Sequence, residues 1–170
     1  KLRNHSYMIV HKISTKLWRQ LSVKVNLSLS GRQHKNLHDS FSDPCQLLLN
    51  EITPESYIRP HRHLLDPKCE FLFAVGGYFY LIIFSNDGLI ADNFYFRSEK
   101  YLNAKITNVG VKIDAGSWHT VIGLTKNTTL LEVKAGPSVP TNEKEYPYWG
   151  PSENTIEAKD YFDRFKDRVK

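Results

Sequence analysis

His61-Arg62-His63 is the segment of this chain whose residue types are best suited to chemistry. Residues two apart in an extended strand point to the same face, so these two imidazoles can meet at one point. Imidazole is the commonest protein ligand for transition metals, and a nearby carboxylate adds charge compensation. Glu70 supplies that carboxylate, and His119, after Gly116-Ser117-Trp118 at the start of a later strand, supplies a third imidazole. The expected metal set is His61, His63, Glu70 and His119, holding a divalent transition metal such as Fe, Zn, Mn or Ni.

The neighbours of this set are candidates for work on a substrate. Tyr57 and Arg59 share the parity of His61 and His63, so a regular strand turns all four inward. A buried arginine needs a partner. Arg59 is read either as a fork for a ligand carboxylate or phosphate, or as half of an internal ion pair with Glu132. Glu132, if it points inward, is a candidate general acid or base. His38, with Asn36 before it, is a candidate pocket or substrate residue. Tyr78 and Tyr80 share parity with Glu70 provided that Gly76-Gly77 makes no bulge; they are read as pocket walls, with Tyr80 on the substrate side, or equally as core packing. Cys69 has the opposite parity and is set aside, and His5, His11 and His34 are read as surface.

Elements of two kinds must position these residues. Ser14 or Thr15 can cap a helix with Leu17, Trp18, Leu21 and Val25 on its apolar side, ended by Ser30-Gly31. Ser42-Asp43-Pro44 reads as the start of a second helix containing Cys45 to Leu49. From Ile52 the pattern changes to strands at Phe71–Val75, Tyr78–Phe84, Leu89–Phe96, Lys105–Ile113, Trp118–Leu124 and Thr129–Lys134. Asn86-Asp87-Gly88 is a hairpin turn. A Pro-rich stretch follows Gly136, and residues 156–169 read as a charged helix. The fold class is mainly β, a small antiparallel barrel or sandwich, in one domain. Residues 1–50 form a helical N-terminal segment, 51–136 the barrel, and 137–170 a Pro-rich segment and C-terminal helix.

The motifs resemble the cupin signature. Its first motif, His-x-His then Glu then Gly, is matched by His61-Arg62-His63, Glu70 and Gly76 or Gly77, with a longer gap before the glutamate than the family has. Its second motif, Pro-x-Gly-x-x-His, is matched by Asp114-Ala115-Gly116-Ser117-Trp118-His119, with Asp114 in place of the proline. Tyr57 to His63, Trp118 to Val121, Leu131 to Pro137, Tyr148 to Pro151 and the Arg32–His38 segment are similar to the WbuC family of cupin-fold metalloproteins. The resemblance implies a jelly-roll barrel with a divalent metal and a homodimer. It also implies a setting in bacterial surface-polysaccharide biosynthesis.

Composition bounds the remaining possibilities. The 170 residues are 41% hydrophobic and 24% charged, ordinary for a folded globular chain. The longest apolar run, Phe71 to Phe84, is broken by Gly76-Gly77 and is too short to span a membrane. Net charge is 23 − 18 = +5, without a concentrated basic stripe carrying aromatic readers, so nucleic acid is not expected as a partner. Cys45 and Cys69 form no spaced pair, and no charged-then-apolar leader opens the chain, so a cytoplasmic setting with reduced thiols is expected. The expected function is metal-dependent action on a small polar, sugar-like molecule, by isomerase, epimerase or oxygenase chemistry. A non-catalytic small-ligand binding or sensing role is the alternative.

Overall fold

A computed structural model of the chain describes residues 12–101, 105–126 and 128–168. Helix α1 (Thr15–Val25) begins after Ser14 in extended conformation, and buries Leu21 and Val25. Two strands follow, β1 (Arg32–Asn36) and β2 (Cys45–Ile52). The second helix expected after Ser42-Asp43-Pro44 is therefore a strand, and in the described part of the expected helical segment one helix, α1, is followed by two strands. Here the Asp43 carboxylate accepts from the backbone N–H groups of Asp39 and Ser40 and so closes a turn. The short apolar run after it fits either element by periodicity. Pairing with β8 (Thr128–Ala135) along its whole length decides for the strand.

The remaining strands are β3 (Glu70–Gly76), β4 (Tyr78–Phe84), β5 (Ile90–Arg97), β6 (Gly110–Ile113) and β7 (Trp118–Gly123). Of the stretch expected as a strand from Lys105, only Gly110–Ile113 forms one. They assemble into a five-stranded sheet, β1-β2-β8-β3-β6, and a three-stranded sheet, β5-β4-β7, antiparallel throughout. The β4–β5 hairpin turns at Asn86-Asp87-Gly88, with Gly88 at φ +87° against the Trp149 ring.

The sheets face each other across an apolar core. Ile52, Leu72, Ala74, Ile113 and Leu130 of the first meet Phe79, Leu81, Phe96 and Val121 of the second. Phe79 and Phe96 stack at 5.2 Å. Helix α2 (Ile156–Lys166) starts at Thr155, whose hydroxyl accepts from the N–H of Ala158. It lays Phe162 and Phe165 on the outer face of the smaller sheet, against Tyr80, Ile82, Phe84 and Ile122. No helix among the described residues is long and apolar enough to cross a membrane.

Helix α1 covers β1 and β2 from outside and seals in one carboxylate. Glu51 is 0% exposed, accepts a 2.6 Å hydrogen bond from the Ser22 hydroxyl, and its Oε2 has no partner. Burial raises its pKa against the smaller opposing effect of that hydrogen bond. A raised carboxyl contributes stability that is present at acid pH and is lost as pH climbs through the folded-state value. Glu51→Gln should therefore raise the melting temperature at pH 7, with a smaller gain near pH 4, as checked by thermal denaturation at both pH values.

Candidate functional site

One end of the sandwich is polar. Alternation along β2, β8 and β3 turns Gln46, Leu48, Asn50, Leu130, Glu132, Lys134, Glu70 and Leu72 to a shared cavity. The cavity has a volume of about 560 Å³, and Arg59, His61, His119, Lys144 and Tyr146 also line it.

His61 and His119 are placed by backbone pairing. His61 N–H donates to the His119 carbonyl at 3.0 Å and His119 N–H to that of His61 at 2.9 Å. Residues paired in this way lie directly opposite and send their side chains to the same face. Gly116, at φ +80°, makes the turn before His119, and its N–H donates to the His63 carbonyl at 3.0 Å. That turn forms with Asp114 at its start, so the motif does not need proline there. The ring centroids lie 4.5 Å apart for His61–His119, 5.3 Å for His61–His63 and 5.8 Å for His63–His119.

All three imidazoles are held by the same device. Nδ1 of His61 faces the Arg59 carbonyl at 3.0 Å, Nδ1 of His119 faces the Ser117 carbonyl at 2.9 Å, and Nδ1 of His63 is bonded to the Glu143 carbonyl. A carbonyl oxygen only accepts, so each Nδ1 carries a proton and donates it. In the neutral ring the lone pair then belongs to Nε2. One ligand atom from each of the three buried rings lies within 4.8 Å of the others. Burial, with Lys144 and His119 adding repulsion, puts the pKa of His61 well below the ordinary imidazole value, so this ring is neutral.

Glu70 lies beside two of the three rings. Its Oε1 is 3.3 Å from His63 Nε2 and its Oε2 is 3.3 Å from His119 Nε2. Burial alone would raise its carboxyl, and the lowering from His119 and His63 that outweighs burial requires positive charge at their Nε2 edge, either a second ring proton or a bound cation. A carboxylate facing nitrogen lone pairs is repulsive unless a cation stands between them. The donor set thus fits a divalent metal, with neutral imidazoles and a charged carboxylate.

Behind Glu70 lies a residue that the sequence reading missed. Lys134 is 7% exposed, with its Nζ 2.9 Å from Glu132, 3.6 Å from Glu70 and 4.0 Å from Glu143. Burial alone would lower its pKa, but these acids, Glu132 and Glu70 foremost, raise it, so it is a fixed cation. Glu132 does point inward. Its Oε1 meets Lys134 and its Oε2 accepts from the Asn50 amide at 2.9 Å. Burial and the neighbouring Glu70 raise its pKa.

Arg59 lines the cavity, yet it makes no pair with Glu132. Its Nε and Nη2 donate to the carbonyls of Gly150 and Pro147, and its guanidinium sits 4.7 Å from the Tyr146 ring centroid. His38 is on the cavity wall with Asn36 and His34. Tyr57 and Tyr80 are not. The Tyr57 hydroxyl donates to the Pro151 carbonyl and its ring packs on Tyr161 and Phe162 of α2. Residues 57–60 join no strand, so the assumed alternation does not carry from His61 back to Tyr57. Tyr80 faces α2 because the register shifts between Ala74 and Gly76, and Gly77 adopts φ +82°. That bulge reverses the parity counted from Glu70. Cys45 and Cys69 are free, and His5 and His11 lie outside the described residues.

Comparison with known proteins agrees with this architecture. Residues 13–96 match the model of a domain of unknown function, DUF6016. No curated protein matches the chain in sequence. Among solved structures, protein SO0799 from Shewanella oneidensis superposes with a TM-score of 0.53 at 11% identity, over 70% of this chain and 75% of that one. CapF, solved with the inhibitor 3-isopropenyl-tropolone, gives 0.51 at 15% identity, over 67% of this chain and 31% of its own. CapF from Staphylococcus aureus, a capsular polysaccharide assembling protein, gives 0.50 at 16% identity, over 67% and 29%. The matched region is thus about a third of each CapF chain, and at these identities the likeness is one of fold. With two facing antiparallel sheets and a buried three-histidine group at one end, this chain has the cupin-type jelly-roll fold.

Proposed function

We propose that the protein is a metal-dependent cupin enzyme, a single domain of the WbuC type, acting on a small anionic, sugar-like molecule in bacterial surface-polysaccharide synthesis. The observation that carries this reading is the shared fixing of three Nδ1 atoms by backbone carbonyls, which brings one ligand atom from each ring within 4.8 Å of the others and sets the Nε2 atoms of His63 and His119 beside Glu70. His61, His63, His119 and Glu70 would hold Fe, Zn, Mn or Ni, and such a metal supplies Lewis acidity toward a ligand oxygen. Arg59 and Lys144 favour an anion. Both line the cavity, and neither forms an ion pair among the described residues. Arg59 is pre-set by its two carbonyl contacts, so it orients a ligand carboxylate or phosphate at little entropic cost. Glu132 is positioned to hold or move a proton on the ligand bound above it. The polysaccharide setting draws support from the fold shared with CapF. A cytoplasmic location and a homodimer belong to the same reading.

A binding role without turnover is the second reading, because both oxygens of Glu132 are already engaged by Lys134 and Asn50. A screen of sugar acids and sugar phosphates against the metal-loaded protein, with His119→Ala as control, separates the two. Turnover that vanishes in the variant supports the enzyme. Turnover that survives in it contradicts metal-dependent catalysis, and binding without turnover supports the second reading.

A further inference from the structure

Two polar groups on the β1 wall of the cavity have no protein partner. The Asn36 side chain makes no hydrogen bond among the described residues, and its Oδ1 is buried. His38 Nε2 is likewise buried without a partner. The protonation of His38 follows from its other contacts. The N–H of Leu47 donates to Nδ1 at 3.1 Å. Nδ1 also lies 3.0 Å from the Leu47 carbonyl, but that carbonyl is satisfied by Leu37 N–H at 2.8 Å, whereas the Leu47 N–H can only donate and needs Nδ1 as its acceptor. Nδ1 is thus the acceptor, and the ring proton sits on Nε2. A buried polar group left unsatisfied costs about 1–3 kcal/mol. A wall carrying two such groups is suited to a polar occupant.

The register gives the span of that occupant. Asn36 pairs with Leu48 of β2, and Leu48 pairs with Glu132 of β8. Strand β1 is three positions from β3, which carries Glu70. At about 4.8 Å per strand that is roughly 14 Å along the sheet. A two-carbon acid at the histidines cannot reach the β1 wall. We propose that Asn36 and His38 form a second recognition subsite for the hydroxyl groups of an elongated polyhydroxylated acid whose other end lies at the histidine group. A hydroxyl both donates and accepts, so it satisfies the Nε2–H donor and the carboxamide together. The acid group is left for Arg59 and Lys144. This inference rests on the metal-centred reading of the cavity for the far end of the ligand.

The test uses the metal-loaded full chain, with D-glucuronate as the long hydroxylated probe and oxalate as the short one. Calorimetric titration of wild type and Asn36→Leu is paired with elemental analysis of each. Wild type should bind D-glucuronate, and Asn36→Leu should bind it roughly 5- to 100-fold more weakly, the loss expected for a hydrogen bond. Its metal content and its affinity for oxalate should be unchanged. Because His38 also accepts from the β2 backbone, it is read without mutation. ¹⁵N-histidine NMR should place its proton on Nε2 and show that resonance moving with D-glucuronate but not with oxalate. Equal D-glucuronate affinity in the variant, no D-glucuronate binding by wild type, or a His38 proton on Nδ1 would overturn the subsite. Absence of metal from wild type would instead overturn the metal-centred reading, and the His38 shift would still judge the subsite.

Discussion

Joint replacement of His61 and His63 by alanine is expected to abolish metal binding. Elemental analysis of protein purified without an affinity tag should give about one transition metal per native chain and none in the double variant. The effect is large because these positions supply two of three converging nitrogens, each already desolvated and aimed. Their Nδ1 protons are committed to the Arg59 and Glu143 carbonyls, so no rotamer or tautomer change is needed on binding. Loss of an outer partner of a metal ligand typically costs 10- to 100-fold in affinity, and loss of two ligands should exceed about 100-fold. The fold should persist, since none of these rings belongs to the apolar core built on Phe79, Leu81 and Phe96. Retained metal in the double variant would place the ion elsewhere.

Lys134→Met should cause the largest loss of stability of any single substitution in the site. It replaces the buried cation shared by Glu132, Glu70 and Glu143 with an apolar chain of similar length. Breaking a buried ion pair from one side costs about 3–5 kcal/mol, because the remaining charge stays desolvated. For a chain of this size that corresponds to roughly 6–20 °C in melting temperature. The deficit should depend on pH with a definite sign. Without Lys134 the carboxyl of Glu132, already raised by burial and by Glu70, rises further. A raised carboxyl stabilises at low pH and loses that contribution as pH climbs. The variant should therefore lie closest to wild type near pH 5 and furthest from it near pH 8, as read by thermal denaturation without metal. A deficit independent of pH would show that Lys134 acts by packing alone.

The parts of the site legible in the sequence are those fixed by short-range alternation or by a turn. His61 and His63 share a face, and the Gly116 turn delivers His119 opposite them. The same counting failed where the chain is not a regular strand. Tyr57 lies before Pro60 in an unpaired stretch, and Tyr80 lies beyond the bulge at Gly76 and Gly77, so both face α2. Cys45 to Leu49 reads as helix from the capping residues before it, but a short apolar run carries no period of its own, and the distant partner strand β8 makes it a strand. Lys134 had a usable signal. It shares parity with Glu132 on an otherwise apolar strand, where a charged residue pointing inward must have partners. The carbonyl of Glu143 that fixes His63 could not be read at all, since any residue type offers the same oxygen.

The most direct test of the central claim is an anomalous-scattering crystal structure of the protein with its native metal. Nε2 atoms of His61, His63 and His119 and one oxygen of Glu70 are expected within about 2.0–2.2 Å of a single ion, with each Nδ1 still on its carbonyl. An ion bound by fewer than three of these histidines, or three histidines converging on water alone in metal-supplemented crystals, would contradict the account.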